Sequence, residues 1–293
     1  MNDILQLQNI PENLQYLKAS RVLYSRAKRA FGIQILVTVG ISIIFSFLKL
    51  IPKESLTFDL NACIGIGAIL ISVAEILFFN VYVSGLRTSG AKAQEAFDCN
   101  VYGLPWNLIN SGSQLEQYVI KESISEYIFD EKAPIENWYD IDVEGLSKER
   151  TILLCQETNL FYDGKLREHF KMANILLCIL IFVLSLIIAV IADIKVNSYI
   201  TTVLLPVSPM IVLTLKIIME NRKSLTVSTE LRKIVLQLKA RPHDPTISEL
   251  RGVQDKIFCN RKDSSLVPDW YYKLRRNRLE KLMKVNASNP KSN

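Results

Sequence analysis

Residues 172–192 read MANILLCILIFVLSLIIAVIA, twenty-one positions without an Asp, Glu, Lys or Arg. A helix needs about 20 mainly apolar residues to cross roughly 30 Å of hydrocarbon, and this run supplies them. Three more runs of similar length occur: Phe31 to Leu48, flanked by Arg29 and Lys49; Ala62 to about Val83; and Ser198 to Met219. Burial of all four as core helices of a soluble protein is the alternative. Four near-full-length runs in two pairs are hard to bury that way.

Each pair is joined by a connection too short to fold alone, with Pro52 and Asp59 in the first and Asp193, Lys195 and Asn197 in the second. The expected fold is an all-α integral membrane protein, with four transmembrane helices as two hairpins and helical cytoplasmic regions. On this reading the chain divides into a cytoplasmic N-terminal segment (1–30), a first transmembrane hairpin (31–86), a middle block (87–171), a second hairpin (172–219) and a C-terminal block (220–293). The first 30 residues lack the apolar core of a signal peptide, so the first span is expected to remain as an anchor.

Basic residues set the orientation, because Lys and Arg near the ends of spans stay on the cytoplasmic side. Thirteen flank the spans on one side, among them Lys18, Arg21, Arg26, Arg87, Arg167 and Arg222; the two short connections carry only Lys49, Lys53 and Lys195. Both termini and the middle block are therefore expected in the cytoplasm. Five cysteines without a CxxC suit a reducing compartment. With only His169 and His243 available, a zinc site lacks a credible ligand set.

The middle block reads as mostly helical, over Ser89–Asp98, Gln114–Asp130 and Glu144 to about Phe170, the last running without a break into the third span. It holds 9 Lys/Arg and 15 Asp/Glu, net −6. From Lys216 onward the C-terminal block holds 18 Lys/Arg and 8 Asp/Glu, net +10, with helices expected over Leu225–Lys239, Thr246–Phe258 and Asp269–Lys284. Opposite charge suggests that the two blocks dock, within a chain or between chains. Alternatively the basic block meets anionic lipid.

Catalytic machinery is not visible, and neither is a cofactor motif. Gly85 to Lys92 imitates a phosphate-binding loop, but the Lys is one residue late, no Ser or Thr follows it, and the first Gly closes an apolar helix rather than a strand. There is no GxSxG elbow and no HExxH. The spans themselves carry polar residues. Gln34, Thr38, Ser42 and Ser46 repeat every fourth position. Glu75 lies near mid-span, where a charge costs about 2.5–3.5 kcal/mol on insertion scales. At 100° per residue Glu75 shares a face with Gly65, Ala68 and Ser72. Two readings stay open: a polar seam that lines a pore, or hydrogen bonds between packed helices. Near the C-terminus, Arg261, Lys262, Trp270 and Arg275 interleave charge with an aromatic ring. That mixture could stack bases and bind phosphate, or it could be an amphipathic helix with packed aromatics.

Several segments resemble the SMODS-associating four-transmembrane family of pore-forming effectors. They are Gln94-Glu95-x-Phe97-Asp98-Cys99-x-Val101, Leu104-x-Trp106-Asn107, Trp138-Tyr139, Cys155-Gln156-x-x-Asn159, Asp163-x-x-Leu166-Arg167 and Pro268-Asp269-Trp270-Tyr271-Tyr272. Glu157 departs from the pattern where a basic residue is expected, and Tyr162 where Trp is expected. The resemblance implies a non-enzymatic effector of bacterial anti-phage defence in the inner membrane. In that scheme a partner nucleotidyltransferase senses infection and makes a cyclic oligonucleotide, and the effector then permeabilises the lipid bilayer. Four helices packed as a bundle leave no room for a water-filled path, so an active pore is expected to be a homo-oligomer. The alternatives are a constitutive ion channel or small transporter, and a non-conducting membrane-anchored scaffold.

Overall fold

A computed structural model of the chain describes residues 3–48, 60–131, 134–191 and 193–288. Among these residues every regular element is helical: α1 (Ile4–Leu7), α2 (Pro11–Leu48), α3 (Leu60–Ala74), a π-helical segment (Glu75–Phe79), α4 (Asn80–Tyr102), α5 (Leu108–Ser111), α6 (Gln117–Ser125), α7 (Lys148–Ile191), α8 (Val196–Tyr199), a second π-helical segment (Ile200–Leu204), α9 (Leu205–Lys239), α10 (Ile247–Asp263) and α11 (Asp269–Ser288).

The long helices run straight through the boundaries between apolar and polar sequence. α7 has 44 residues and so extends about 66 Å, twice the hydrocarbon thickness. It contains no proline, and its one glycine, Gly164, meets only Ser228 at an ordinary 3.9 Å from where a Cβ would sit. Pro11 opens α2, a first-turn position where a missing N–H costs nothing. Among the described residues, three stretches are helical, long and apolar enough to cross a membrane: 11–45, 63–102 and 148–191. The fourth run, Ser198 to Met219, is shared among α8, the second π-helical segment and the start of α9, so no single α-helix carries its full length. Pro206 and Pro209 lack the N–H groups that a continuous ladder needs, and the backbone just before them winds as a π-helix. The connection holding Lys49, Pro52, Lys53 and Asp59 lies outside the described residues. In the second connection Asp193 takes φ 48°, a left-handed conformation that a short polar side chain tolerates.

Along the apolar lengths the helices point large side chains outward, including Leu36, Leu70, Phe78, Leu176 and Val190. Where α2 meets α3 the approach is close: a Cβ on Gly67 would lie 2.6 Å from Phe45 Cζ. Gly65, by contrast, faces open space, and the exposed Ser72 hydroxyl bonds its own Ala68 carbonyl at 2.9 Å. The close-packing face therefore contains Gly67 rather than Gly65 and Ser72.

At the polar end, α2, α4, α7, α9 and α10 enclose one core of Phe97, Tyr102, Ile152, Val235, Leu250 and Ile257 with their neighbours. Ile4, fully buried, belongs to it. The N-terminal residues are thus part of the same body as the middle and C-terminal blocks. Gln8 Oε1 accepts from the Tyr139 amide at 2.8 Å, and Asn9 pairs with Asn137, whose positive φ of 51° suits an Asn. Helix α6 is shorter than the expected 114–130. The Ser125 hydroxyl bonds the Glu122 carbonyl at 2.7 Å, and the chain leaves the helix as Glu126 turns toward Arg26 at 2.6 Å. A capping box starts α10: Glu249 N donates to the Thr246 hydroxyl at 3.2 Å and the Glu249 carboxylate accepts from Thr246 N at 2.9 Å. The end of α9 is held differently. The Arg150 guanidinium, from the first turn of α7, donates to the carbonyls of Lys239 and Arg241 at 3.3 and 2.9 Å and to Asp244 at 2.7 Å, satisfying carbonyls that a helix end leaves open.

Cys99 and Cys155 are buried, so an impermeant thiol reagent cannot report which side of the membrane they occupy. Terminal reporters can. With the basic asymmetry of the sequence, a C-terminal green fluorescent protein is expected to fluoresce and a C-terminal alkaline phosphatase to stay inactive. An active phosphatase would invert the topology.

Candidate functional site

Two polar clusters stand out, one between the apolar lengths and one in the polar core. The first joins α2 to the π-helical segment, α4 and α9. Gln34 and Thr38 are 1% and 2% exposed. The Gln34 amide donates to Glu75 Oε1 at 3.1 Å and to Asn80 Oδ1 at 3.4 Å, and Lys216 donates to the same Asn80 oxygen. Glu75 is the first residue of the π-helical turn, which holds one residue more per turn than an α-helix. A wheel of 100° per residue therefore does not carry through it. Ser42 and Ser46 lie on α2, but their side chains fall outside the described residues. Beside the cluster, Phe31, Gln34, Asn80, Arg87, Lys216 and Glu220 line a cavity of about 40 Å³, which has room for a few waters and none for a nucleotide.

The second cluster is built from carboxylates of α4 and cations of α10. Glu95, Asp98 and Cys99 share one face of α4 at helical spacing with Tyr102; Arg251, Gln254 and Arg261 do the same on α10. Asp98, with no exposed surface, accepts from Arg261 at 2.6 Å, from Gln254 at 3.0 Å and from the Tyr139 hydroxyl at 2.7 Å. Glu95 accepts from Arg251 and, at 2.8 Å, from Gln254. The Tyr139 hydroxyl in turn accepts from Tyr102 at 2.6 Å and from Asn159 at 3.1 Å. Gln156 Nε2 completes the link to α10, donating to Gln254 Oε1 at 3.2 Å and to the Leu250 carbonyl at 2.9 Å. Arg251 also donates to the Pro105 carbonyl at 3.0 Å and pairs with Asp255 at 2.9 Å.

Electrostatics follow from burial. Desolvation would lower Arg261, but Asp98 more than compensates and holds the guanidinium firmly charged. Burial, then Asp98, push the Glu95 carboxyl up against the pull of Arg251. Burial also pushes the Cys99 thiol up to about 12, which keeps it a thiol rather than a reactive thiolate. The phosphate-loop imitation is helical: Gly85 to Lys92 lies within α4, Gly90 packs on Tyr24, and Lys92 donates to the Ser113 carbonyl at 2.7 Å.

The four candidate nucleotide-binding residues do not converge on one pocket. Arg261 points inward to Asp98. Lys262 lies 4.0 Å from Asp263. Trp270 stands exposed at the start of α11, and Arg275 covers the Tyr271 ring at 5.9 Å. A further anchor uses the Asp163-x-x-Leu166-Arg167 motif: Arg167 grips Asp163 through two bonds of 2.9 and 2.8 Å and donates to the Ser265 carbonyl at 2.9 Å, while Arg87, outside the motifs, holds the Ser264 carbonyl at 2.7 Å. Glu157, unexpectedly acidic, pairs with Lys239 at 2.9 Å. Glu95, Asp98, Tyr139, Gln156 and Asn159 stand in the family-like motifs without a role that spacing alone discloses, and Arg251 and Gln254 lie outside those motifs. The available signal is the polar stripe Arg251, Gln254, Arg261 running beside the apolar Leu250, Val253 and Ile257 on α10.

Removing one partner of a buried pair leaves the other charge uncompensated, typically at about 3–5 kcal/mol. Arg261→Met in the full chain is therefore expected to lower the melting temperature sharply, and Asp98→Asn introduced with it to recover part of the loss. Thermal unfolding in detergent by tyrosine and tryptophan fluorescence reads both. A single variant as stable as wild type would show that the Asp98–Arg261 pair does not hold the polar core.

The residues of this cluster are largely those the motifs carry, and the comparisons with known proteins cover the same ground. The family described as "SMODS-associating 4TM effector domain" matches residues 2–289. A "Probable CBASS effector molecule" of Bacillus cereus (strain VD146) is 27% identical over 296 residues, with 97% of each chain covered. No solved structure matches. With nearly its whole length matched, from the helix that carries Gln34 to the one that carries Trp270, the chain belongs to the SMODS-associating four-transmembrane effector family.

Proposed function

We propose that this protein is a pore-forming membrane effector of anti-phage defence, with four spans in two hairpins and both termini in the cytoplasm. In this reading it is activated by a cyclic oligonucleotide from a partner nucleotidyltransferase and permeabilises the inner membrane. It acts without catalysis. The observation that carries this reading is helix continuity. α2, α7 and α9, together with α3 and α4 through the π-helical turn, each join an apolar length to the buried Glu95–Asp98–Arg251–Arg261 cluster or its surrounding core. Any rearrangement of that cluster reaches the spans through unbroken helix.

Charge supplies the trigger. The cluster holds the −6 and +10 blocks together, and a polyanion competes with Asp98 and Glu95 for the same cations. A ligand shifts such an equilibrium only through differential affinity, and moving it from 1:99 to 99:1 takes about 5.5 kcal/mol. Oligomerisation follows from packing. Gln34 and Thr38 are closed off within one chain, so a conducting path forms between copies.

Full-length protein reconstituted in liposomes is expected to conduct only when a cyclic di- or trinucleotide is supplied. Conductance without any nucleotide would favour a constitutive channel, and none with a full panel a scaffold. Lys262→Gln with Arg275→Gln should weaken the response at an unchanged amount of membrane-inserted protein; Arg261 is unsuitable because of its structural pairing. Glu75→Gln keeps an acceptor for Gln34 while removing any charge. Its reversal potential in a salt gradient should show lower cation preference if Glu75 lines the path. Unchanged selectivity with full activity would leave Glu75 as a bond between helices.

A further inference from the structure

Among the large apolar side chains that stand in the open at the polar end are Ile128 (85% exposed), Phe129 (59%), Trp270 (68%) and Leu274 (69%). Two come from the turn after α6 and two from the first turns of α11, yet the structure ties them to one level. Arg26 holds Glu126 at 2.6 Å, Lys28 holds Asp269 at 2.6 Å, and Lys273 lies 3.7 Å from Asp130. Arg26 and Lys28 are the last turn of α2 before its outward face becomes apolar at Ile33 and Leu36.

The inner face of α11 agrees with that level. Tyr271 and Leu279 pack with Phe170, Leu213 and Ile217, and the Tyr271 ring lies 5.1 Å from that of Phe170. Phe170 comes immediately before the run at 172–192, whose Met172 and Leu176 are already exposed. α11 therefore crosses α7 where polar sequence gives way to apolar sequence. Its charges are mostly basic: Lys273, Arg275, Arg276, Arg278, Lys281 and Lys284 against Asp269 and Glu280.

We propose that this patch is an anchor in the lipid interface, with Trp270, Leu274, Ile128 and Phe129 seated among the headgroups of the cytoplasmic leaflet and Lys273, Arg276 and Arg278 of α11 on phosphates of anionic phospholipid. Three features select lipid over a second copy of the chain. The patch lies at the level where the outward face of α2 turns from the basic Arg26 and Lys28 to the apolar Ile33 and Leu36. Its tryptophan is the side chain that prefers the boundary between headgroup and acyl chain. The cations that α11 presents beside Trp270 and Leu274 complement an anionic leaflet, while Glu126 and Asp130, beside Ile128 and Phe129, are paired within the chain by Arg26 and Lys273. The inference rests on membrane insertion, not on pore formation.

The test uses the full chain in vesicles of phosphatidylcholine and phosphatidylglycerol, with insertion verified by flotation in the same sample. Acyl chains brominated near the headgroup are expected to quench Trp270 more than chains brominated near the bilayer centre, and aqueous iodide to quench it little. Trp270→Phe should abolish the part of the emission sensitive to shallow bromine. The double variant Trp106→Phe, Trp138→Phe, which leaves Trp270 as sole reporter, gives the same reading independently. Quenching by iodide instead would place the patch in water and overturn the anchor. Emission insensitive to both quenchers would put a second copy over the patch and overturn it equally. Equal shallow quenching in pure phosphatidylcholine would overturn the assignment to anionic lipid.

Discussion

A carboxylate taken wholly out of water must be given partners or it unfolds its surroundings, and Asp98 is the strictest case in this molecule. Its two oxygens are met by Arg261 and Gln254 from α10 and by the Tyr139 hydroxyl from the loop between α6 and α7. Asn159 of α7 and Tyr102 of α4 then fix that hydroxyl. Three parts of the chain far apart in sequence are thereby set in one register. The apolar core around them, with Phe97, Val235 and Ile257, supplies the free energy of burial. It does not by itself select which turn of α10 faces which turn of α4. The polar cluster makes that selection, since sliding either helix by one turn would strand a buried charge.

How much of this was legible in the sequence depended on the kind of physics involved. Span-length apolar runs and the unbroken course of α7 are written in the sequence, because a stretch with no proline and a single glycine has no reason to stop between Lys148 and Ile191. Net charge announced that the middle and C-terminal blocks attract. It could not say that Arg261 turns inward to Asp98 while Trp270 stays exposed, because the direction of a side chain depends on partners more than a hundred residues away. Nor could it reveal that Ile4 and Gln8 belong to the core, since so short a segment carries no periodicity of its own. Nor could the sequence announce the π-helical turn that begins at Glu75, because such a turn adds a residue without any characteristic residue type to mark it.

That turn has its own logic within an apolar environment. Backbone groups there need partners inside the chain, and a π-helical turn retains them while rotating the helix beyond it. Here the rotation lets the Gln34 amide reach both Glu75, at the start of the turn, and Asn80, immediately after it. Lys216 of α9 shares the Asn80 oxygen, so three elements meet through side chains that an apolar medium would otherwise reject. Gly67 under Phe45 provides the complementary contact on the other side of the π-helical turn, where close approach rather than hydrogen bonding holds α3 to α2.

The Arg150 fork limits what can move. By gripping the carbonyls of Lys239 and Arg241 it fastens the start of α7 to the end of α9, two helices that also pack along their length. Lys239 with Glu157 adds a second rivet a little farther along. A pair of antiparallel rods pinned at one end in this way has lost the freedom to slide past one another, and retains only rotation as a single stave. The mechanical unit is accordingly a pair of helices, with α2 and α4 forming the opposing stave. The Ser264–Ser265 loop, held from one side by Arg87 of α4 and from the other by Arg167 of α7, sits across the seam between the two staves as a strap, so that spreading them must stretch or release it.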